Sequence, residues 1–339
     1  MSRTLLVTGG AGYVGSHVAV ELVRAGHRVV VLDNLQQGHR EAVPDAAELV
    51  VADLADRAAL GAVFRARRFD AVLHFAANSL VGESMTRPFR YLGDNVVNAL
   101  ALVETMVEHE VKRLVLSSTC AIFGDPDRVP IDEEVAIRPA NPYGESKYLI
   151  ERILDWADRV HGLRFAALRY FNAAGAHPDA AIGEDHSPET HLIPIALEAA
   201  LGLRPEVAIF GTDYPTPDGT CVRDYIHVCD LAAAHVRVLD ALEQGSRRYN
   251  VGIGRGYSVR EVLDAVRRVT GARFRIRTAP RRDGDPPSLV AAPAKIRREL
   301  GWEPRWTDID AIVATAWAWR RAHPRGYASR GAAGALAAD

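Results

Sequence analysis

Five short, predominantly apolar runs at positions 5–8, 29–32, 49–51, 71–75 and 114–117 alternate with segments whose apolar residues recur at helical period. A strand covered on one face alternates apolar with polar residues, whereas a strand covered on both stays apolar throughout. Runs of the second kind, each followed by a helix, point to one architecture: a parallel sheet with helices on both faces. The helices are expected at 12–25, 56–66, 89–109 and 143–161, and a sixth strand at 165–170. The fold class read from this pattern is α/β, a doubly wound parallel sheet of Rossmann type with a smaller mixed α/β C-terminal lobe. Beyond Asn172 the chain becomes rich in Gly, Pro, His and Asp up to 222, around one helical stretch at 192–202. The expected division is a sheet domain over 1–175, rejoined by a strand and helix at about 224–245. A second lobe takes 176–223 and 246–325, and a Gly/Ala-rich frayed tail takes 326–339.

Composition excludes several classes. The 339 residues carry 41 Lys+Arg against 43 Asp+Glu, and the basic residues are scattered, which argues against nucleic acid or an anionic membrane as partner. No apolar run approaches the roughly 20 residues that cross a bilayer. Gly9-Gly10 follows the first apolar run too closely for a secretory h-region. Cys120, Cys221 and Cys229 are too few and too spread for a disulfide framework or a Cys-rich zinc site, so a reducing, cytoplasmic setting is expected.

The turn between the first strand and first helix reads Gly-Gly-Ala-Gly-Tyr-Val-Gly at 9–15. Gly9 permits a tight turn, Gly12 lets the backbone approach a pyrophosphate, and Gly15 allows close helix–strand packing. A glycine-rich turn can also be purely structural. Asp33 adds weight: it closes the second strand 18 residues after Gly15, where an acid can bind ribose hydroxyls. Asn34-Leu35 follows it rather than an arginine, which favours NAD over NADP. Asp53 ends the third strand, where it can reach an adenine amino group or cap the next helix.

Tyr143 and Lys147 lie four residues apart on a helix entered through Pro142, and therefore on one face. A phenol with pKa about 10 is a poor base at neutral pH. A nearby ammonium and an oxidised nicotinamide ring would both favour the phenolate, and Lys147 can also hold the nicotinamide ribose. Tyr-x-x-x-Lys alone is common. It gains meaning from Ser117-Ser118-Thr119, which ends the fifth strand at the ligand-binding edge of the sheet. Thr119 is placed to bond a substrate oxygen beside Tyr143, or simply to cap the strand end. Glu184, Asp185, His186 and His191 have no familiar ligand spacing, so they are expected as a polar loop with no metal.

Further motifs are Leu-Asp-Asn-Leu at 32–35, His-Phe-Ala-Ala at 74–77, Val-Gly-Glu-Ser at 81–84 and Asn-Pro-Tyr-Gly-Glu-Ser-Lys at 141–147. Later come Arg-Tyr-Phe-Asn-Ala-Ala-Gly at 169–175, Phe-Gly-Thr-Asp-Tyr-Pro-Thr at 210–216, Val-Arg-Asp-Tyr-Ile-His-Val at 222–228 and Pro-Arg-Arg-Asp-Gly-Asp at 280–285. With these the chain resembles, over residues 3–323, the UDP-glucose 4-epimerase branch of the extended short-chain dehydrogenase/reductases.

The resemblance implies an isomerase with tightly held NAD. The 4-hydroxyl proton passes to Tyr143 and the C4 hydride to the cofactor; a 4-keto sugar turns in the site and takes the hydride back on its other face. It implies a cofactor site of Gly9, Gly12, Tyr13, Val14, Gly15, Asp33, Asn34, Leu35, Asp53, Leu54, Phe75, Ala76, Ala77, Asn95, Ser117, Lys147 and Tyr170. The nucleotide sugar would meet Thr119, Tyr143, Phe171, Asn172, His191, Leu192, Ala208, Phe210, Arg223, Tyr225, Arg282 and Asp285. The arginines suit a diphosphate and Asp285 suits ribose hydroxyls. A homodimer through the helices at 89–109 and 143–161 is also implied.

The chain departs from that pattern at Ser79, where a lysine is common, and at Thr119, Phe123 and His191, where serine, tyrosine and asparagine are common. Leu289 occupies a position where bulk disfavours N-acetylated sugars, which leans the substrate towards a plain UDP-hexose. Epimerases of UDP-N-acetylglucosamine, UDP-glucuronate or a UDP-pentose stay open. A dehydratase or decarboxylase would need an acid just after Thr119, where Cys120-Ala121 stands. A non-catalytic dinucleotide-binding protein could dispense with Tyr143 or Lys147, and both are present.

Overall fold

The computed structural model describes residues 2–282 and 284–327. The six apolar runs become strands β1 (Thr4–Thr8), β2 (Arg28–Asp33), β3 (Glu48–Val51), β4 (Ala71–His74), β5 (Arg113–Thr119) and β6 (Arg164–Tyr170). Between them lie helices α1 (Tyr13–Arg24), α2 (Arg57–Ala66), α3 (Val81–Thr86), α4 (Pro88–Tyr91), α5 (Asn98–Glu108) and α6 (Pro142–His161). Beyond them come β7 (Asn172–Ala174), α7 (Leu192–Ala200), β8 (Glu206–Phe210), β9 (Val222–Arg223), β10 (Tyr225–His227), α8 (Val228–Ala241) and β11 (Arg247–Val251). The chain continues through β12 (Tyr257–Ser258), α9 (Val259–Thr270), β13 (Arg275–Ala279), β14 (Ser288–Leu289), α10 (Ala294–Leu300) and α11 (Ile309–Ala322).

The main sheet has seven parallel strands in the order β11-β6-β5-β4-β1-β2-β3. Successive residues of each strand feed two cores, which is why the runs had to be apolar throughout. Leu5, Val7, Val31, Leu73 and Val115 pack with α1 and α8; Leu6, Val30, Leu32, Val72 and Leu116 pack with α2, α5 and α6. Each such side chain contributes roughly 1.5–3 kcal/mol on burial. A third core joins α7, α9 and α11 beneath β8 in the second lobe.

The seventh strand corrects the expected division of the chain. Arg247–Val251 lies inside the stretch assigned to the second lobe, yet it pairs with β6 throughout its length. Its leading Arg247-Arg248 hid it: it is an edge strand, and only Tyr249, Asn250 and Val251 are buried. The strand expected near 224 does not join this sheet either, because β10 pairs with β7. Its helix, α8, does return and pack on α1.

The helix expected over 89–109 is interrupted. A π-helical stretch over Leu92–Val97 separates α4 from α5 and buries Asn95. Such wide turns recur at functional sites because they re-aim one side chain inward. Tyr327 departs from the expected frayed tail: it is buried, its hydroxyl lies 3.0 Å from the Gly183 amide nitrogen that donates to it, and its own amide donates to Asp185. Residues 328–339 of that tail lie outside the described residues, as does Asp283 of the 280–285 motif.

Candidate active site

Strand order reverses between β1 and β4, and the crevice at their carboxyl ends is where doubly wound sheets bind ligands. The glycine turn fills its floor. Gly9 has φ +72°, and a Cβ there would lie 2.4 Å from the Ala76 nitrogen. A Cβ on Gly15 would lie 2.2 Å from the Gly9 oxygen. These two glycines are required by packing. Gly12 is different: the nearest atom to a Cβ there is the Gly9 oxygen at 3.4 Å. Gly12 is also the N-cap of α1 and offers no side chain to the first-turn N–H groups. An open cradle in front of uncapped N–H donors fits a pyrophosphate.

The rim fits the rest of a dinucleotide. Buried Asp33 accepts from the Ala11 and Leu35 amides at 3.0 and 2.9 Å, and burial raises its carboxyl above the usual range. Leu35 takes φ +59° to make this turn. Asn34 donates to Asp53 at 2.8 Å, and Asp53 also accepts from the Ala55 amide. Asp53 is not the helix cap, since Asp56 caps α2 through the Ala58 and Ala59 amides. Phe75 and Ala76 both donate to the Thr8 oxygen, which presents the 75–77 backbone beside Gly9. Leu54 is buried and Val14 packs against the core, while the Tyr13 hydroxyl donates to the Gly175 oxygen at 2.7 Å.

Asn95 is more committed than a ligand contact requires. Its Oδ1 accepts from the Asn78 amide, and its Nδ2 donates to the Asn78 oxygen and to Ser146 Oγ. With both Nδ2 hydrogens engaged, it acts as a staple between the 75–80 segment and α6.

On α6 the N-cap Asn141 accepts from the Gly144 amide at 2.8 Å, Pro142 opens the first turn, and Tyr143 and Lys147 follow on the buried face. The Thr119 side chain stands beside the Tyr143 phenol and favours its ionised form. Thr119 Oγ1 accepts from the Ala121 amide at 3.1 Å, so the hydroxyl caps the strand end. Lys147 donates to the Ser117 oxygen at 3.0 Å, and Ser117 Oγ lies 2.8 Å from the Tyr170 hydroxyl. Burial pushes the Tyr143 phenol up, and the nearby Tyr170 adds to this. The lowering expected from Lys147 is therefore not what the protein alone produces: desolvation wins, and Lys147 is itself pushed down to about 8 by burial.

The second lobe brings several of the other candidate residues together. Arg223 on β9 and Arg282 both pair with Asp285, Arg282 at 3.1 Å. The Arg282 guanidinium also lies 4.8 Å from the Phe210 ring centroid. Tyr225 is buried, with its phenol pushed up to about 12 by burial, and stands in register with Asn172. Phe171 and Leu289 share one apolar cluster with Cys120 and Phe123. Ala208 sits mid-strand on β8, and His191 and Leu192 open α7. His191 Nδ1 is occupied by Glu184 and Glu189.

Two buried polar centres escaped the sequence reading. Glu151, one turn beyond Lys147 on the same face of α6, accepts from Ser118, Arg169 and Arg248 beneath the end of β5. Asp224 accepts three backbone N–H groups, from Ile253, Gly254 and Ala291, and clamps β9 to the two segments beside it. The i, i+4, i+8 spacing of Tyr143, Lys147 and Glu151 was the available signal for the first. The third surprise is Glu189, which joins Glu184, His186 and His191 in one cluster.

Comparison with known proteins agrees with this geometry. The sequence profile of the NAD dependent epimerase/dehydratase family matches residues 5–252. The UDP-glucose 4-epimerase of Streptococcus mutans serotype c is 51% identical over 330 residues, covering 96% of this chain and 99% of the relative. A crystal structure of a UDP-glucose 4-epimerase superposes with TM-score 0.93 at 49% identity, covering 96% of this chain and 99% of the other. The UDP-glucose 4-epimerase from Bifidobacterium longum, solved in complex with NAD+ and UDP, gives TM-score 0.92 at 37% identity, covering 96% and 100%.

Proposed function

The chain belongs to the NAD-dependent epimerase/dehydratase family, and from that premise we propose Tyr143 as its catalytic acid/base, supported by Thr119 and Lys147. The enzyme is an NAD-dependent 4-epimerase of a UDP-hexose, interconverting UDP-glucose and UDP-galactose. The observation that carries the residue roles is the buried placement of Tyr143 and Lys147, one helical turn apart on α6, against the carboxyl end of β5 that Ser117 and Thr119 form.

NAD, when bound, supplies a reversible hydride acceptor. The Gly12 cradle and the start of α1 would hold its pyrophosphate, Asp33 its adenosine ribose, and Lys147 its nicotinamide ribose. Tyr143 Oη takes the proton from the sugar 4-hydroxyl and gives it back, while Thr119 Oγ1 holds that oxygen in line. Burial keeps the phenol neutral until positive charge is brought beside it, so proton removal is coupled to an assembled site. Asn95 and Ser146 fix α6 against the 75–80 segment, and Glu151 fixes the strand end from below.

Arg223 and Arg282 would exchange Asp285 for the diphosphate, freeing its carboxylate for uridine ribose hydroxyls. Phe171, Asn172, His191, Leu192, Ala208, Phe210 and Tyr225 would complete the substrate wall. Leu289, packed in one cluster with Phe171 and Cys120, puts a branched apolar side chain at the position where bulk disfavours N-acetylated sugars, which supports the plain hexose. Cys120 offers no acid for elimination, since burial pushes its thiol up to about 12.

A homodimer is supported by an apolar groove between α5 and α6, lined by Leu100, Val103, Val107, Ile153, Trp156 and Val160. Trp156 and Val160 are 61% and 64% exposed in the single chain, an unusual exposure for such side chains. Among the described residues no helix is long and apolar enough to cross a membrane. The unpaired state of all three cysteines supports a reducing cytoplasm.

A panel of UDP-glucose, UDP-N-acetylglucosamine, UDP-glucuronate and UDP-xylose, read by NMR for the 4-epimer, tests the substrate. Turnover of UDP-glucose well above the others is expected. Preference for an N-acetylated or acidic sugar would refute the hexose reading.

A further inference from the structure

We propose that Glu184, His186, Glu189 and His191 form a structural binding site for one zinc-class divalent cation, beside the active site and joined to its proposed substrate wall through His191. Spread over eight residues of irregular loop, these side chains bring two imidazole nitrogens and two carboxylates within 4.8 Å of one another. His191 Nδ1 lies 2.9 Å from Glu184 Oε1 and 3.0 Å from Glu189 Oε1. His186 Nδ1 lies 3.4 Å from Glu184 Oε1 and 3.6 Å from Glu189 Oε2. For metal–ligand bonds of about 2.0–2.1 Å, tetrahedral ligands stand about 3.3–3.4 Å apart, and the four measured edges straddle that value.

Two features favour a cation over a simple ion-pair cluster. His186 Nδ1 is buried and makes no hydrogen bond, although two carboxylates flank it. It stands within 3.6 Å of both and is bonded to neither, a spacing that leaves room for an ion between them. Second, the carboxylates are almost fully enclosed, with side chains 8% and 5% exposed, and buried carboxylates need compensation. One divalent cation with two neutral imidazoles makes the set electrically neutral. The Glu189 carboxylate is already oriented by the Thr190 and His191 amides, both at 2.8 Å.

Two nitrogens and two oxygens in a compact set suit zinc and its neighbours better than magnesium or calcium, which favour all-oxygen shells. Four protein ligands leave no open position, which marks a structural site rather than a catalytic one. Its place in the fold says what it holds. The His186 ring meets the Tyr13 ring edge-on at 6.3 Å, at the start of α1, and His191 opens α7. The ion would therefore fasten the second-lobe loop over the glycine turn.

The test uses full-length, tag-free enzyme with its resident cofactor, prepared without chelator or added metal, and elemental mass spectrometry. One zinc-class ion per chain is expected, or saturable one-to-one Zn2+ binding by calorimetry if purification has stripped it. After chelation, Zn2+ should raise the thermal midpoint by several degrees, and Co2+ should give the visible bands of four-coordinate cobalt. His186→Ala and Glu189→Gln should abolish both responses while the wild-type readings stand without them. Absence of stoichiometric metal together with no saturable Zn2+ binding would overturn the site in favour of a protonated histidine–glutamate cluster. Equal metal binding by wild type and both variants would overturn it as well.

Discussion

Lys147 donates to the Ser117 carbonyl oxygen at 3.0 Å, one turn along α6 from Tyr143, and both residues are shut away from solvent. That arrangement keeps an ammonium inside the protein at the cost of its hydration. Burial pushes Lys147 down to about 8, against about 10.4 for a free lysine.

The pH consequence has a definite sign. Between about pH 8 and 10.4 the unfolded chain binds more protons at this site than the folded one, so Lys147 destabilises the fold below that window and less so above it. Lys147→Met should be more stable than wild type at pH 7, by up to ~3 kcal/mol, and the gap should close towards pH 10. Urea unfolding of both proteins at matched cofactor load measures it. A gap that does not change with pH contradicts the assigned burial cost.

Two glycines of one turn should respond oppositely. Gly15→Ala forces a Cβ to within 2.2 Å of the Gly9 oxygen and should destabilise the fold by about 1–3 kcal/mol. Gly12→Ala meets nothing closer than 3.4 Å and should leave stability within about 0.5 kcal/mol. Its methyl would instead stand where the pyrophosphate belongs, so retained NAD should fall sharply. Melting temperature and bound-cofactor absorbance separate the two; normal NAD content in Gly12→Ala would count against the cradle.

Glu151→Gln should destabilise by about 3–5 kcal/mol, since it removes one partner from a buried network that holds Arg169, Arg248 and Ser118. The Glu151 carboxyl is buried, yet bonds from Arg169 and Ser118 hold it below its ordinary range. Its contribution is therefore present above the free carboxylate range and lost as pH falls. Denaturant midpoints at pH 7 and pH 4 should differ less in the variant than in wild type.

Trp156→Glu with Val160→Glu should halve the solution mass measured by light scattering, because two charges would enter the apolar groove between α5 and α6. A wild-type chain that is already monomeric would remove the basis for the dimer.

The sheet was legible because burial on both faces imposes a one-dimensional pattern, and residues 5–8 or 29–32 could satisfy nothing else. Arg247–Val251 was not, because an edge strand needs only part of its length buried and its two arginines read as surface. The π turn at Leu92–Val97 was equally hidden: the register of one wide turn is set by the Asn95–Asn78 and Asn95–Ser146 bonds, which are tertiary. At the site, Tyr143, Lys147 and Thr119 carried signals of spacing and position. Glu189 carried none, since the chain folds back between Glu184 and His191 without helical or strand periodicity.

The most direct test of the account is the conversion of UDP-glucose by purified wild-type enzyme and by Tyr143→Phe. The wild type should carry bound NAD and yield the same mixture of UDP-glucose and UDP-galactose from either side. Tyr143→Phe should keep its fold and NAD while the rate falls about 10²–10⁴-fold. A wild type that forms no UDP-galactose, or a Tyr143→Phe enzyme that turns over at the wild-type rate, would contradict it.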